Sequence, residues 1–135
     1  MANAVYPKFK EFLLGTATGP DLDNASVNVK VALVDSASYT YSSAHDFLDD
    51  VAGITATSGN LTTKTVTNGT FDSDDPVFTS ATGAQSEILI LYIDSGSAAT
   101  SRLIAYYDTG VTGLPVTPNG GNINITVNAS GWFAL

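Results

Sequence analysis

Ile88-Leu89-Ile90-Leu91-Tyr92-Ile93 is the longest apolar run in the sequence, and its odd and even positions are alike apolar. A strand of that kind leaves no face for water, so it belongs at the centre of a sheet or between two packed layers. At six residues it is far short of the roughly 18 to 20 needed to span a bilayer. Leu103-Ile104-Ala105-Tyr106-Tyr107 reads as a second such strand. Around this pair the sequence repeats a period of two. Val27, Val29, Val31 and Leu33 alternate with Asn28, Lys30 and Ala32, as a half-buried strand does. Ile123, Ile125 and Val127 alternate with Asn122, Asn124 and Thr126.

Asn68-Gly69 lies between Leu61–Thr67 and Thr70-Phe71 and carries the strongest hairpin signal in the chain. Both residues tolerate the positive φ of a type I′ turn, whose twist matches that of the flanking strands. Val77-Phe78-Thr79 and Trp132-Phe133-Ala134-Leu135 add further strands, which makes roughly seven or eight. Between them lie turn clusters such as Asp72-Ser73-Asp74-Asp75-Pro76 and Thr117-Pro118-Asn119-Gly120-Gly121. Ser36–Val51 is the longest irregular piece, in which Ala44–Asp50 can form one helical turn with Phe47 and Leu48 inward. Short strands at this spacing predict an all-β, mainly antiparallel domain of β-sandwich, jelly-roll or barrel type.

One helix is expected, near the start. Phe9, Phe12 and Leu13 fall at i, i+3 and i+4; Pro7 suits the first turn and Gly15 can end it. Two turns do not hold alone, so the aromatic stripe must dock. Residues 1–15 then either plug the end of a β-domain spanning 25–135 or act as an arm on a neighbouring subunit. In the second case Tyr6, Phe9 and Phe12 form the interface.

Composition narrows the chemistry. The 135 residues suit one domain, and 13 acidic against 5 basic side chains give a net charge of -8. That balance opposes duplex nucleic-acid binding, which requires a surplus of cations. With no cysteine, thiol nucleophiles, disulfides and Cys-based zinc sites are excluded. His45 is the sole histidine, so two-histidine metal sites are excluded too. Met1–Val5 has neither a basic start nor a hydrophobic stretch, so no secretory signal is expected.

The remaining motifs are weak. Asp21-Leu22-Asp23-Asn24 and Asp72-Ser73-Asp74-Asp75 space carboxylates as calcium loops do, but lack the twelve-residue pattern and read as solvated turns. His45-Asp46 lacks a nucleophile elbow, and adjacent side chains seldom converge. Glu11 and Glu87 are the only glutamates, a thin basis for sugar hydrolysis by paired carboxylates. Neither a cofactor nor a metal is expected. Tyr39, Tyr41, Tyr92, Tyr106 and Tyr107 could line a sugar or peptide groove, although strand tyrosines usually pack their rings inward.

Several blocks resemble a family of small tailed-phage virion proteins. They are Lys30-Val31-Ala32-Leu33-Val34-Asp35, Tyr39-Thr40-Tyr41-Ser42, His45-Asp46-Phe47-Leu48-Asp49-Asp50, Ala56-Thr57-Ser58-Gly59-Asn60-Leu61 and Lys64-Thr65-Val66-Thr67-Asn68-Gly69. The likeness is clearest in Ala99-Thr100-Ser101-Arg102-Leu103-Ile104-Ala105-Tyr106 and in residues 112–121. It departs at Asn128-Ala129-Ser130-Gly131-Trp132, where relatives carry a Trp-Asp-Asn-Gly turn. Some relatives resemble capsid decoration, or cement, proteins. The resemblance implies a non-enzymatic part made in the bacterial cytoplasm and carried on the outer capsid surface of the virion. Its partners would be the major capsid protein, met through the terminal arm around Tyr6, Phe9 and Phe12 or through an exposed sheet edge, and further copies of itself, as a dimer or trimer, with no nucleic acid and no membrane. The alternatives are a tail or fibre module binding a host glycan, and a small carbohydrate-active enzyme.

Overall fold

The computed structural model describes residues 3–16 and 19–135. Its central strand is β7 (Ile88–Ile93), as the apolar run requires. β7 pairs antiparallel with β2 (Val29–Val34) on one side and β8 (Leu103–Tyr107) on the other. β3 (Ile54–Thr57) extends the sheet beyond β2, and β1 (Ala4–Val5) extends it beyond β8, giving the order β1-β8-β7-β2-β3. The Asn-Gly hairpin joins β4 (Thr65–Thr67) to β5 (Thr70–Asp72), with φ of 51° at Asn68 and 78° at Gly69. β10 (Phe133–Ala134) pairs with β5, and β6 (Val77–Phe78) pairs with β9 (Ile123–Asn124). The described residues are thus mostly antiparallel β, in three sheets, with one short N-terminal α-helix.

The sheets share one hydrophobic cluster that runs from Tyr6 to Trp132. β2 is more buried than its alternation suggests. Ala32 and Val34 have no exposed surface, and only Lys30 emerges in part. Both faces of β2 are therefore covered, while its two edges are paired with β7 and β3. The expected strand over 123–127 is reduced to Ile123–Asn124, although Ile123 and Ile125 are buried as the alternation implied. Ala44–Asp50 gives only a short 3₁₀ turn, Leu48–Asp50, with Phe47 and Leu48 half-buried.

Serines that enter the core have partners. Ser58 Oγ accepts from Val31 N–H and donates to Gly59 C=O; Ser101 Oγ accepts from Ser95 N–H and donates to Ser97 C=O. A short hydroxyl can thereby satisfy backbone groups where loops cross the core, which gives the Ser/Thr-rich composition a structural use.

Where β7 ends, Lys30 Nζ lies 2.8 Å from Asp94 Oδ2. That hydrogen bond, followed by one from Gly96 N–H, holds the Asp94 carboxyl below the usual carboxylate range. A group whose pKa is lower folded than unfolded stabilises above the unfolded value of about 4. The gain disappears as pH falls through the folded value. Asp94→Asn should therefore be less stable than the parent at neutral pH, by on the order of 1 kcal/mol for a partly exposed pair. Urea titrations at descending pH should show the two proteins converging in acid.

Candidate functional site

The N-terminal helix α1 (Pro7–Gly15) begins with proline at its first turn and ends on Gly15. Its placement corrects the arm reading for two of three residues. Tyr6 and Phe9 have no exposed surface at all, so neither can present an interface. Tyr6 N–H donates to Ile104 C=O at 2.9 Å, and the Phe9 ring meets Phe12 at 6.2 Å and the edge of Phe133 at 6.4 Å. Phe12 is half-buried beneath the Arg102 guanidinium, 4.3 Å from its ring, while the same guanidinium lies 4.6 Å from Phe47. The helix plugs the β-domain because its aromatic stripe is the part that water disfavours most.

What α1 leaves outside is Leu14, which is 89% exposed. At about 100° per residue Leu14 sits some 140° around the helix from Phe9, off the buried stripe. Leu13, its neighbour, faces a 230 Å³ groove shared with Leu22, Phe133, Val66 and Leu135 and bordered by Asp21 and Asp23. Val66 is 49% and Leu135 66% exposed. The sequence held one trace of this face, a Leu-Leu pair where the stripe needs one leucine. The groove itself draws on α1, a loop, a hairpin and the C-terminal strand, which no local pattern connects.

A second feature lies around Tyr6. Its hydroxyl is 2.8 Å from that of Tyr39, which is in turn 2.7 Å from His45 Nδ1. Tyr41 stacks on Tyr6 at 5.2 Å and meets Tyr106 edge-on at 5.2 Å. Tyr106 donates its hydroxyl to Asp108 Oδ2 at 3.0 Å. Burial, the main cause, raises the phenol pKa values of Tyr6, Tyr39 and Tyr106, so these hydroxyls keep their protons at neutral pH. Tyr39, Tyr41 and Tyr106 line a 420 Å³ cavity with Ser36, Glu87 and Asp108. Glu87 Oε2 accepts from Ser36 N–H at 3.0 Å.

Three of the five singled-out tyrosines therefore converge. Tyr92 is buried within β7, and Tyr107 donates to Trp132 C=O at 2.7 Å. Tyr107 and Trp132 line a separate 480 Å³ cavity with uncharged Asn3, Thr126, Asn128 and Ser130. His45 Nδ1 lies 2.7 Å from the Tyr39 hydroxyl, and Asp46 donates its backbone N–H to Asp50 Oδ2. The Asp loops bond within the protein: Asp21 accepts from Asn24 in its own turn, and Asp74 accepts from Thr62 and Thr63 in the segment before β4. Among the described residues, no three His, Asp or Glu side chains group to hold a metal ion, and no helix is long and apolar enough to cross a membrane.

Fold and surfaces together define a small antiparallel β-protein, closed by one helix, with an apolar groove and an acidic tyrosine cavity. No family model and no curated protein matches the sequence.

Proposed function

We propose that the chain is a non-enzymatic structural part of a tailed-phage virion, a capsid decoration or cement protein that binds the outer face of the head and stabilises the shell. The observation that carries this reading is the exposed apolar groove of Leu13, Val66 and Leu135 with its acidic border. Burying apolar surface there contributes roughly 25 cal/mol per Å². The complementary capsid surface would offer an apolar side chain for the groove and a basic one opposite Asp21 and Asp23. Few long charged side chains mean little rotamer freedom to lose on docking. A weak single contact becomes firm attachment when several copies bind as one homo-oligomer on a lattice. The blocks that resemble phage virion proteins support the same assignment, as does an acidic balance that discourages contact with packaged DNA.

The test is cosedimentation of the purified protein with phage heads that lack it. The parent should bind stoichiometrically and raise the heat resistance of the shell. Val66→Glu, an exposed change on edge strand β4, should weaken binding at least about tenfold, since it costs an apolar contact and places like charge beside Asp21 and Asp23. Failure of the parent to bind heads, or density at the tail tip in a particle reconstruction, would overturn the assignment. Deleting residues 1–14 is unsuitable as a test because it removes Tyr6 and Phe9 from the core. The uncharged cavity beside Trp132 favours a second reading, a tail or fibre module for a neutral host glycan. Its distinguishing result is saturable glycan binding by a protein that ignores heads.

A further inference from the structure

We propose that β4 is a self-pairing edge, through which two copies of this chain join antiparallel about Val66 into one continuous sheet. Edge strands that must stay unpaired are kept short, irregular or covered. Among the described residues, β1, β6, β9 and β10 have two residues each. β3 pairs irregularly with β2, and Gly83 and Ser86 lie against its Thr55. β4 is longer, regular and open: Thr65, Val66 and Thr67 are all exposed and all in register with β5. The register also fixes where its backbone points. Phe71 C=O accepts from Trp132 N–H, so the Phe71 backbone groups face β10. Residues of an antiparallel strand alternate in the side to which they bond, so Val66, directly opposite Phe71, turns its N–H and C=O away from β5. Among the described residues, no backbone group outside the hairpin bonds to Thr65, Val66 or Thr67.

A second copy is the occupant because the edge complements itself. A two-fold axis beside Val66 sets it against its own counterpart, with two N–H···O=C bonds, and sets Thr65 against Thr67 of the second copy. Threonine pairs across strands are favourable. Charge agrees. Residues 51–71 carry no acidic side chain in a chain of net charge -8, and their one cation, Lys64, donates to Asn24 C=O and Val27 C=O. Val66, Phe71 and Phe133 lie in register across β4, β5 and β10, so pairing doubles this apolar row. A few residues of edge fall short of the roughly 1,200 Å² buried by a stable interface, so the free dimer is weak, with Kd on the order of 1 mM. Copies held side by side on a lattice make the same contact firm. The pairing gives the homo-oligomer of the capsid reading its contact, yet it is tested on the free protein, so either can fail alone.

Sedimentation equilibrium and amide NMR of the intact protein, up to about 2 mM, test the edge. The parent should dimerise reversibly, and more tightly at about 0.5 M than at about 0.05 M salt, because salt screens the repulsion between two acidic chains. Val66 N–H should gain protection from exchange as concentration rises. Val66→Pro removes an outward N–H, leaves the Thr65 and Thr67 bonds to β5, and should weaken dimerisation at least about tenfold. Thr65→Lys with Thr67→Lys should do likewise by setting like charges opposite one another. Both are exposed changes, so the pair decides the matter if the proline variant does not fold. With no native cysteine, register can be read directly: under mild oxidation Thr65→Cys protein should cross-link to Thr67→Cys protein several-fold faster than either to itself. A protein monomeric at the highest concentration, a dimer indifferent to both sets of changes, or equal cross-linking of each cysteine variant with itself would overturn the proposal. Protection of Val66 N–H by phage heads without self-association would also overturn it, and would assign the edge to the capsid.

Discussion

Phe9→Ala is expected to destabilise the protein by about 3–5 kcal/mol, the usual loss when a buried phenylalanine is truncated. Phe9 has no exposed surface; its ring packs against Phe12 of the same helix and links the helix to Phe133 on β10. Its removal leaves a void that rigid β-strands close poorly, so the lost transfer energy and the cavity add together. Against a total stability of about 5–15 kcal/mol, the change takes a large share. Urea denaturation should show a much lower midpoint with an unchanged slope. A loss under about 1 kcal/mol would mean that α1 is undocked in solution, as an intersubunit arm would be.

Gly131→Ala is expected to cost about 2–4 kcal/mol, from backbone strain together with overpacking. Gly131 has φ +92°, and a Cβ there would lie 2.8 Å from Phe71 O and 2.8 Å from Thr70 Cγ2. The backbone oxygen cannot retreat easily, since it accepts from Trp132 N–H at 2.8 Å as β10 joins β5. Gly96 is the control, with the same φ of +92° but nothing within 4 Å of the added carbon. Gly96→Ala should therefore show only the conformational part, about 1 kcal/mol. Thermal denaturation of both variants separates strain from contact. Equal losses would mean that the Phe71 carbonyl shifts freely and that the close approach has no energetic weight.

The elements that could be read from the sequence are those whose cause is local. Ile88–Ile93 is apolar at every position, so its burial on both faces needed no knowledge of its neighbours. Asn68-Gly69 carries its turn in its own φ preferences, and Pro7 with the aromatic stripe marks a helix that must dock. Where the reading was partial, the missing cause lay elsewhere in the chain. Ala32 looked like the outward side of a half-wet strand, but in the fold it has no exposed surface, because packing over a sheet face comes from segments the strand's own pattern does not show. Tyr6 and Phe9 looked equally suited to an arm or a plug, because an aromatic stripe specifies burial without naming what buries it. The tyrosines showed their number but not their grouping: Tyr39, Tyr41 and Tyr106 meet Glu87 only once the loop after β2 is laid beside the starts and ends of β7 and β8.

By itself, then, the sequence determined an all-β chain with one docking helix, free of cysteine chemistry and strongly acidic. Period, turn preference and charge are properties of short segments or of composition, and they survive any change of partner. Only the tertiary structure decided that Phe9 is core, that Leu14, Val66 and Leu135 are surface, and that Glu87 faces three tyrosines. Those outcomes depend on contacts between segments tens of residues apart. Hydrophobic attraction sets how much apolar area must be covered, but being non-directional it leaves the choice of cover to strand pairing and packing.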